Sequence, residues 1–389
     1  MSTVLQLWKE DTLTAGGMTT ARAVVEYPDA KRRTLWYRVP ERWKPWVTES
    51  CDPFVVATVF TAMRSGRPLR VEGEVSPSLL RNLEEFQAAW ACWKPGEYTA
   101  VEMTAATEKE RLHPGTTKSA VVFSGGVDSC FTAWRHRKGE CGRSIRMLAA
   151  GVMVHGFDIP LEEPGVFERA AAKAAALLAS LDMELLPLAT NFRELDDDWD
   201  DAHGAGLASS VMVLQDGIAA GLIGSSDPYH SMILPYGSNP VTDRMLSSDT
   251  FAIIHDGASF TRCEKVRAIS RWPEALRSLR VCWEGKQKDR NCGRCEKCVR
   301  TVLNFRVAGA GLPACFEREV SDAQVAGIHS IGPSQIIELE QILAAARSSG
   351  IAASWVDALE VSIERNRQGR AGRQTLLQKV KRVAQMLSA

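Results

Sequence analysis

Apolar and amphipathic segments alternate along the central part of the chain. Five mainly apolar runs predict buried strands at residues 120–123, 145–154, 184–188, 219–223 and 251–254. The segments between them place apolar residues at helical spacing, most clearly over 167–181 and 202–215. Strands that alternate with helices predict a doubly wound α/β fold, in which helices connect the strands of a parallel sheet.

The first 116 residues have a different pattern and predict a small α+β N-terminal domain. Its predicted strands and helices, in chain order, are a hairpin of strands 22–27 and 34–39, a helix from 52, a strand at 68–71, a helix from 76 and a strand at 98–103. Residues 104–118 are mostly polar and predict a linker. This domain (1–116) carries no recognisable chemistry, so its role stays open. We expect a nucleotide domain over 117–330 and a helical C-terminal extension over 331–389.

The first strand of the nucleotide domain is followed by the residues Ser-Gly-Gly-Val-Asp-Ser, numbered 124–129. Apolar residues at helical spacing come next, which predicts a strand, a tight turn and a helix. Such a turn presents free backbone N–H groups to an anion, and its glycines let a phosphate approach closely. Ser124 and Ser129 add hydroxyl donors, whereas Asp128 is predicted to hold a Mg²⁺ that bridges phosphates. The glycine spacing and the absence of a lysine exclude a Walker A loop.

This turn resembles the PP-loop of the ATP pyrophosphatase superfamily, whose members cleave ATP between its α- and β-phosphates. The resemblance implies adenylation of a substrate oxygen and release of pyrophosphate. It also implies that Asp128 and Ser129 are catalytic and that the nucleotide-binding residues are Ser124, Gly125, Gly126, Val127, Asp128 and Ser129. An ordinary Gly-Gly turn is the alternative interpretation.

Four cysteines follow the α/β pattern at metal-ligand spacing: Cys282, Cys292, Cys295 and Cys298. The last three form two overlapping C-x₂-C pairs. Thiolates favour tetrahedral Zn²⁺, and four of them complete its coordination shell, so we predict a structural zinc site. An iron–sulfur cluster and a redox-active thiol pair are the alternatives.

The loop and the cysteine group together resemble the 7-cyano-7-deazaguanine synthase branch of the superfamily, over residues 117–305. In that branch a deazapurine carboxylate is adenylated, ammonia gives the amide, and a second ATP drives dehydration to the nitrile. The first cysteine gap is one residue longer here than the family's usual spacing, and the regions at both ends are additional. We therefore expect a divergent member whose substrate is a small-molecule carboxylate such as a deazapurine, or a protein acceptor. The resemblance also implies a homodimer.

Composition restricts the compartment and the partners. The 389 residues carry no formal net charge, with 47 basic and 47 acidic side chains, so charge gives no argument for nucleic acid or for an anionic membrane. No apolar run approaches the roughly 18 residues that span a bilayer. Residues 1–9 do not resemble a signal peptide, so we expect a cytoplasmic protein. Basic residues over 365–382 accompany an apolar helical stripe, which favours packing over contact with a polyanion.

Two other functions stay open. A PP-loop RNA sulfurtransferase would need a persulfide, and Cys130 and Cys263 are the cysteines near the nucleotide motifs. We expect Cys130 in a helix core, and Cys263 in a helix that begins with a capping box from Thr261 to Glu264. The other function is an ATP-binding sensor or scaffold that does not turn the nucleotide over.

Overall fold

The computed structural model describes residues 4–195, 197–329 and 331–369. Over those residues, ten strands form a single sheet. They are β1 (Leu5–Ala15), β2 (Met18–Glu26), β3 (Arg32–Pro40), β4 (Leu69–Val75), β5 (Met103–Glu108), β6 (Lys118–Val122), β7 (Met147–His155), β8 (Glu184–Thr190), β9 (Ala220–Gly224) and β10 (Ala252–Asp256).

Helices cover this sheet. They are α1 (Asp52–Ser65), α2 (Pro77–Trp93), α3 (Val127–Arg137), α4 (Pro164–Ala179), α5 (Trp199–Met212), α6 (Arg262–Ile269), α7 (Pro273–Ser278), α8 (Glu296–Val307), α9 (Asp322–Ala326), α10 (Pro333–Ser348) and α11, which includes residues 354–369. None of the described helices is long and apolar enough to cross a membrane.

The strand order is β10-β9-β6-β7-β8-β3-β2-β1-β4-β5. The five strands from β10 to β8 are parallel to one another, which confirms the predicted parallel sheet with helical crossovers. The sheet continues into the first 116 residues, because β3 pairs antiparallel with β8 through Tyr37 opposite Thr190. The N-terminal strands therefore extend the same sheet.

Each face of the sheet packs on its own core. Ala120 belongs to the core under α1, α2 and α5, whereas its neighbour Val121 belongs to the core under α3, α4, α6 and α8. This alternation follows from the two-residue period of a strand. Both faces of β6 are thus buried, which holds the loop that follows it on a rigid base.

The N-terminal prediction omits strand β1 and misplaces the last strand. Residues 98–103 were expected to be extended, but the strand β5 is Met103–Glu108. Tyr98 is buried instead, and its hydroxyl donates a hydrogen bond of 2.8 Å to Asp201. The residues of β5 lie within the segment interpreted as a linker.

Helices α10 and α11 lie in the described part of the helical C-terminal extension that was predicted over 331–389. Helix α10 packs against α6 and α8, the helices nearest to the candidate site. The basic residues beyond position 369, among them Arg370, Arg373, Lys379, Lys381 and Arg382, lie outside the described part of the chain.

Candidate functional site

The predicted strand, glycine turn and helix are present at residues 118–137. Gly125 has a φ of 76°, a left-handed conformation that favours glycine. Gly126 is the N-cap of α3, so the backbone N–H groups of the next three residues have no carbonyl partner within the helix. The Ser124 hydroxyl is 3.4 Å from that of Ser129. The turn therefore places amide and hydroxyl donors together, as an anion site requires.

Helix α3 begins directly over the end of β9. A Cβ atom on Gly224 would lie 2.9 Å from both the carbonyl carbon and the carbonyl oxygen of Asp128. The backbone of β9 can approach the first turn of α3 this closely because residue 224 has no side chain. This contact fixes the position of Asp128 relative to the carboxyl end of β9.

Asp128 is held by two cations of α6. Arg262 donates from Nη2 to Oδ2 at 3.0 Å, and Lys265 donates from Nζ to Oδ1 at 3.2 Å. The Lys265 side chain is 1% exposed and that of Asp128 is 20% exposed. Burial raises the pKa of Asp128, but Arg262, Lys265 and Lys297 together lower it below its ordinary value. Asp128 is therefore an ionised carboxylate at neutral pH.

Helix α6 begins with the predicted capping box. The Thr261 side chain accepts from the Glu264 backbone N–H, and the Glu264 side chain accepts from Thr261. This cap fixes the first turn of α6, which carries Arg262. Sequence reasoning located the helix start but not the partner of Arg262, because no local pattern indicates which carboxylate lies opposite.

A buried ion network connects this site to the C-terminal helix α10. Glu338 forms an ion pair with Arg262 at 3.3 Å and a second one with Arg300. Arg300 also pairs with Glu296 at 2.6 Å within α8. Asn304 donates to Glu338 Oε1, the oxygen that also pairs with Arg262, at 3.1 Å. Helix α10 thus contributes a second carboxylate, Glu338, that pairs with Arg262 in addition to Asp128.

Arg280 ties the glycine turn to the cysteine segment. Its backbone N–H donates to the Gly125 carbonyl at 2.8 Å, and its Nε donates to the Ser124 carbonyl at 3.2 Å. Its guanidinium also donates to Asp158 Oδ2 at 3.4 Å and to the Lys288 carbonyl at 3.0 Å. The two motifs that the sequence separates by about 150 positions are therefore adjacent, joined by one residue that sequence reasoning missed.

A further carboxylate, that of Asp227, lies near Asp128. Asp227 follows β9 in the loop whose Ser225 carbonyl accepts from Lys265. Burial raises the pKa of Asp227; Arg262 opposes this shift and Asp128 adds to it, and the net change is upward. No hydrogen bond or ion pair of the Asp227 carboxylate is found within the described residues. Asp227 was not among the residues predicted from sequence.

The four predicted cysteine ligands converge on one point. Sγ of Cys282 is 3.7 Å from Sγ of Cys295, Sγ of Cys292 is 3.8 Å from that of Cys298, and all four lie within 4.8 Å of one another. A tetrahedral Zn²⁺ with bonds of about 2.3 Å to sulfur needs S···S distances of about 3.8 Å. The group is thus able to hold a metal ion such as zinc.

Backbone N–H groups point at these sulfur atoms. Gly285 donates to Cys282 Sγ at 3.3 Å, while Arg294 and Cys295 donate to Cys292 Sγ at 3.4 and 3.3 Å. Such donors favour the thiolate over the thiol. The sulfur geometry and these donors fit a closed four-thiolate site, in which no coordination position is left for a substrate.

The other two cysteines considered from sequence are unsuited to sulfur transfer. Cys130 is fully buried in α3, and burial raises its pKa. Burial also raises the pKa of Cys263 to about 11, and its Sγ donates to Asn304 Oδ1 at 2.8 Å. A nucleophilic thiol needs a lowered pKa and access to the substrate, so neither residue has the properties of a persulfide carrier.

No family model, no curated protein and no solved structure matches this chain. The chemistry of the glycine turn, its surrounding cations and the cysteine group is therefore the basis for a functional proposal.

Proposed function

We propose that this protein is an ATP-dependent, AMP-forming enzyme of the PP-loop type, which adenylates a substrate carboxylate and releases pyrophosphate. The observation that carries the proposal is the position of Asp128. It lies in the first turn of α3, directly after the glycine turn, and is bordered by Arg262, Lys265 and Lys297. An anion-binding turn that brings its own carboxylate, surrounded by cations, suits a metal-bridged polyphosphate.

The residues of the turn bind the polyphosphate in this proposal. The free N–H groups of residues 127–129 and the hydroxyls of Ser124 and Ser129 donate to phosphate oxygens. Arg262 neutralises the charge that accumulates on the departing pyrophosphate. Fixed donors and charges of this kind stabilise a transition state without reorganisation, and each is worth about 3 kcal/mol in typical enzymes.

The site also fits Mg²⁺. Asp128 is ionised and partly exposed, and each of its oxygens has one protein donor and a second lone pair free. Asp227 offers a further oxygen ligand from the neighbouring loop. Asp128 and Asp227 would hold Mg²⁺, which would offset the negative charge of the phosphates.

The acceptor is the substrate carboxylate, whose oxygen attacks the α-phosphorus in line with the departing pyrophosphate. The bond that forms joins this oxygen to the α-phosphorus, and the bond that breaks joins the α-phosphorus to the bridging oxygen. An amine, ammonia or water then takes the acyl group and releases AMP. We propose that the substrate is a small-molecule carboxylate such as a deazapurine, and a protein acceptor is the alternative. The cysteine group holds a structural Zn²⁺ and takes no part in these steps.

Exchange of labelled pyrophosphate into ATP tests this proposal. Acyl-adenylate formation is reversible, so exchange should depend on both Mg²⁺ and a carboxylate from a panel that includes 7-carboxy-7-deazaguanine. Asp128→Ala should abolish it, whereas Asp249→Ala, a change at an exposed carboxylate far from the turn, should not. Binding of ATP without exchange under any carboxylate would contradict the proposal and favour an ATP sensor.

A further inference from the structure

Lys297 lies between two of the cysteine ligands. It belongs to the first turn of α8, which begins at Cys295 and contains Cys298. Helix α8 packs against α6, the helix that carries Arg262 and Lys265. Lys297 therefore stands where the cysteine group meets the cationic side of the glycine turn.

The ammonium group of Lys297 has no partner of its own in the described structure. No hydrogen bond or ion pair to its Nζ is found within residues 4–195, 197–329 and 331–369. Arg300, one turn further along α8, in contrast forms ion pairs with both Glu296 and Glu338. A half-buried lysine without a partner carries a desolvation cost that an anionic ligand would offset.

The charges around Lys297 show which ligand it suits. Its electrostatic neighbours include Asp128, Asp158, Arg262 and Arg300. The carboxylates among them are already paired, Asp128 with Arg262 and Lys265, and Asp158 with Arg280. Lys297 is thus a positive charge beside the anion-binding turn that has no carboxylate paired with it, and an anion bound at the turn would neutralise it.

We propose that Lys297 is a ligand of the polyphosphate, and that the metal-bearing turn fixes its position. This inference rests on the proposed function, since it assigns a further residue to the same nucleotide site. Cys295 lies two residues before Lys297, and Cys298 lies one residue after it. A metal bound to both cysteines therefore fixes the backbone conformation of this turn. The cysteine group then acts on nucleotide binding through the lysine that it positions.

Calorimetric titration of the zinc-loaded, full-length protein with inorganic pyrophosphate tests this inference. Lys297→Met should weaken pyrophosphate binding roughly 10- to 100-fold, the range expected when one charged hydrogen bond is lost. Lys297→Arg keeps the charge and should recover much of the affinity. Lys286→Met removes an equal charge from an exposed position of the same segment and should bind like the wild type. Zinc content and the thermal unfolding curve confirm that each variant is folded.

The outcomes separate the two proposals. Equal affinities of the wild type and Lys297→Met would overturn the role of Lys297 and leave the enzyme assignment untouched. Weakened binding by Lys297→Met in a protein that never forms AMP would support the lysine and contradict the adenylating activity. Absence of pyrophosphate binding by the wild type would overturn both.

Discussion

Arg262 reaches Asp128 across 134 positions of sequence, with Nη2 and Oδ2 only 3.0 Å apart. The side chain of Arg262 is 8% exposed and that of Asp128 is 20% exposed, so the pair is largely shielded from water. Lys265 occupies the other oxygen of Asp128. The carboxylate that follows the glycine turn is therefore held in place by α6 without any bound ligand.

Asp128→Asn is expected to destabilise the protein by about 3 kcal/mol, because it leaves two buried cations without their carboxylate. Urea unfolding at pH 7 measures this. Asp249→Asn, at an exposed pair with Arg81, should change the free energy of unfolding by less than about 0.5 kcal/mol. Equal stability of the two variants would show that Asp128 is not the carboxylate that stabilises Arg262 and Lys265 of α6.

The same pair predicts a pH dependence. The pKa of Asp128 is lowered in the folded protein, so its stabilising contribution is present above the ordinary carboxyl pKa of about 3.9. That contribution is lost as the pH falls through the lower, folded-state value. The free energy of unfolding of the wild type should therefore decline more steeply below pH 4 than that of Asp128→Asn. Parallel curves would contradict the ion pairing.

Gly224→Ala should displace the start of α3. The new Cβ atom would lie 2.9 Å from the Asp128 carbonyl group, and such overpacking typically costs about 1–3 kcal/mol. We expect lower thermal stability together with weaker pyrophosphate binding. Gly96→Ala places its Cβ in open space and should leave both quantities unchanged. If Gly224→Ala binds pyrophosphate as tightly as the wild type does, the position of Asp128 relative to β9 does not affect binding.

The glycine turn and the cysteine group were predictable from sequence because both are local. A strand, two glycines and a helix follow one another without interruption, and the cysteines at 292, 295 and 298 share one short segment. Their neighbours were not predictable. Arg262, Lys265 and Glu338 meet Asp128 or each other only after α6, α8 and α10 have packed, and no local pattern indicates this.

The extent of the sheet could not be predicted from the sequence either. Strand β1 was missed because its sequence turns polar after Trp8 and half of its residues remain partly exposed. The junction between the two parts of the sheet consists of two residue pairs, Tyr37 with Thr190 and Arg38 with Ala189. Pairing between strands so distant in sequence is decided by the tertiary packing of α1 and α5, which one sequence does not reveal.

Metal analysis of protein purified without added metal should find about one zinc per chain. Cys295→Ser should lose the metal and unfold at a lower temperature. Without the metal, the negative charges of the remaining thiolates repel one another. Cys92→Ser, an exposed cysteine on α2, should retain both metal and stability. Iron in place of zinc would change the assignment of the metal. Wild-type protein without any bound metal would contradict the prediction of a four-cysteine metal site.

Glu338→Gln should show that the C-terminal helix α10 belongs to the site. It removes the carboxylate shared by Arg262 and Arg300, and breaking a buried network of this kind costs about 3 kcal/mol. Urea unfolding and pyrophosphate titration measure the effect. Glu340→Gln, at a largely exposed pair with Arg367, is the matched control. A Glu338→Gln variant as stable as this control would separate α10 from the site.

The most direct test of the account is the identity of the nucleotide product. The wild type, Asp128→Ala and Asp249→Ala are incubated with Mg·ATP and the carboxylate panel, and AMP is resolved from ADP by chromatography. We predict AMP and pyrophosphate in equal amounts, formed only with a carboxylate, by the wild type and Asp249→Ala but not by Asp128→Ala. Formation of ADP and phosphate, or equal AMP formation by Asp128→Ala, would contradict the account.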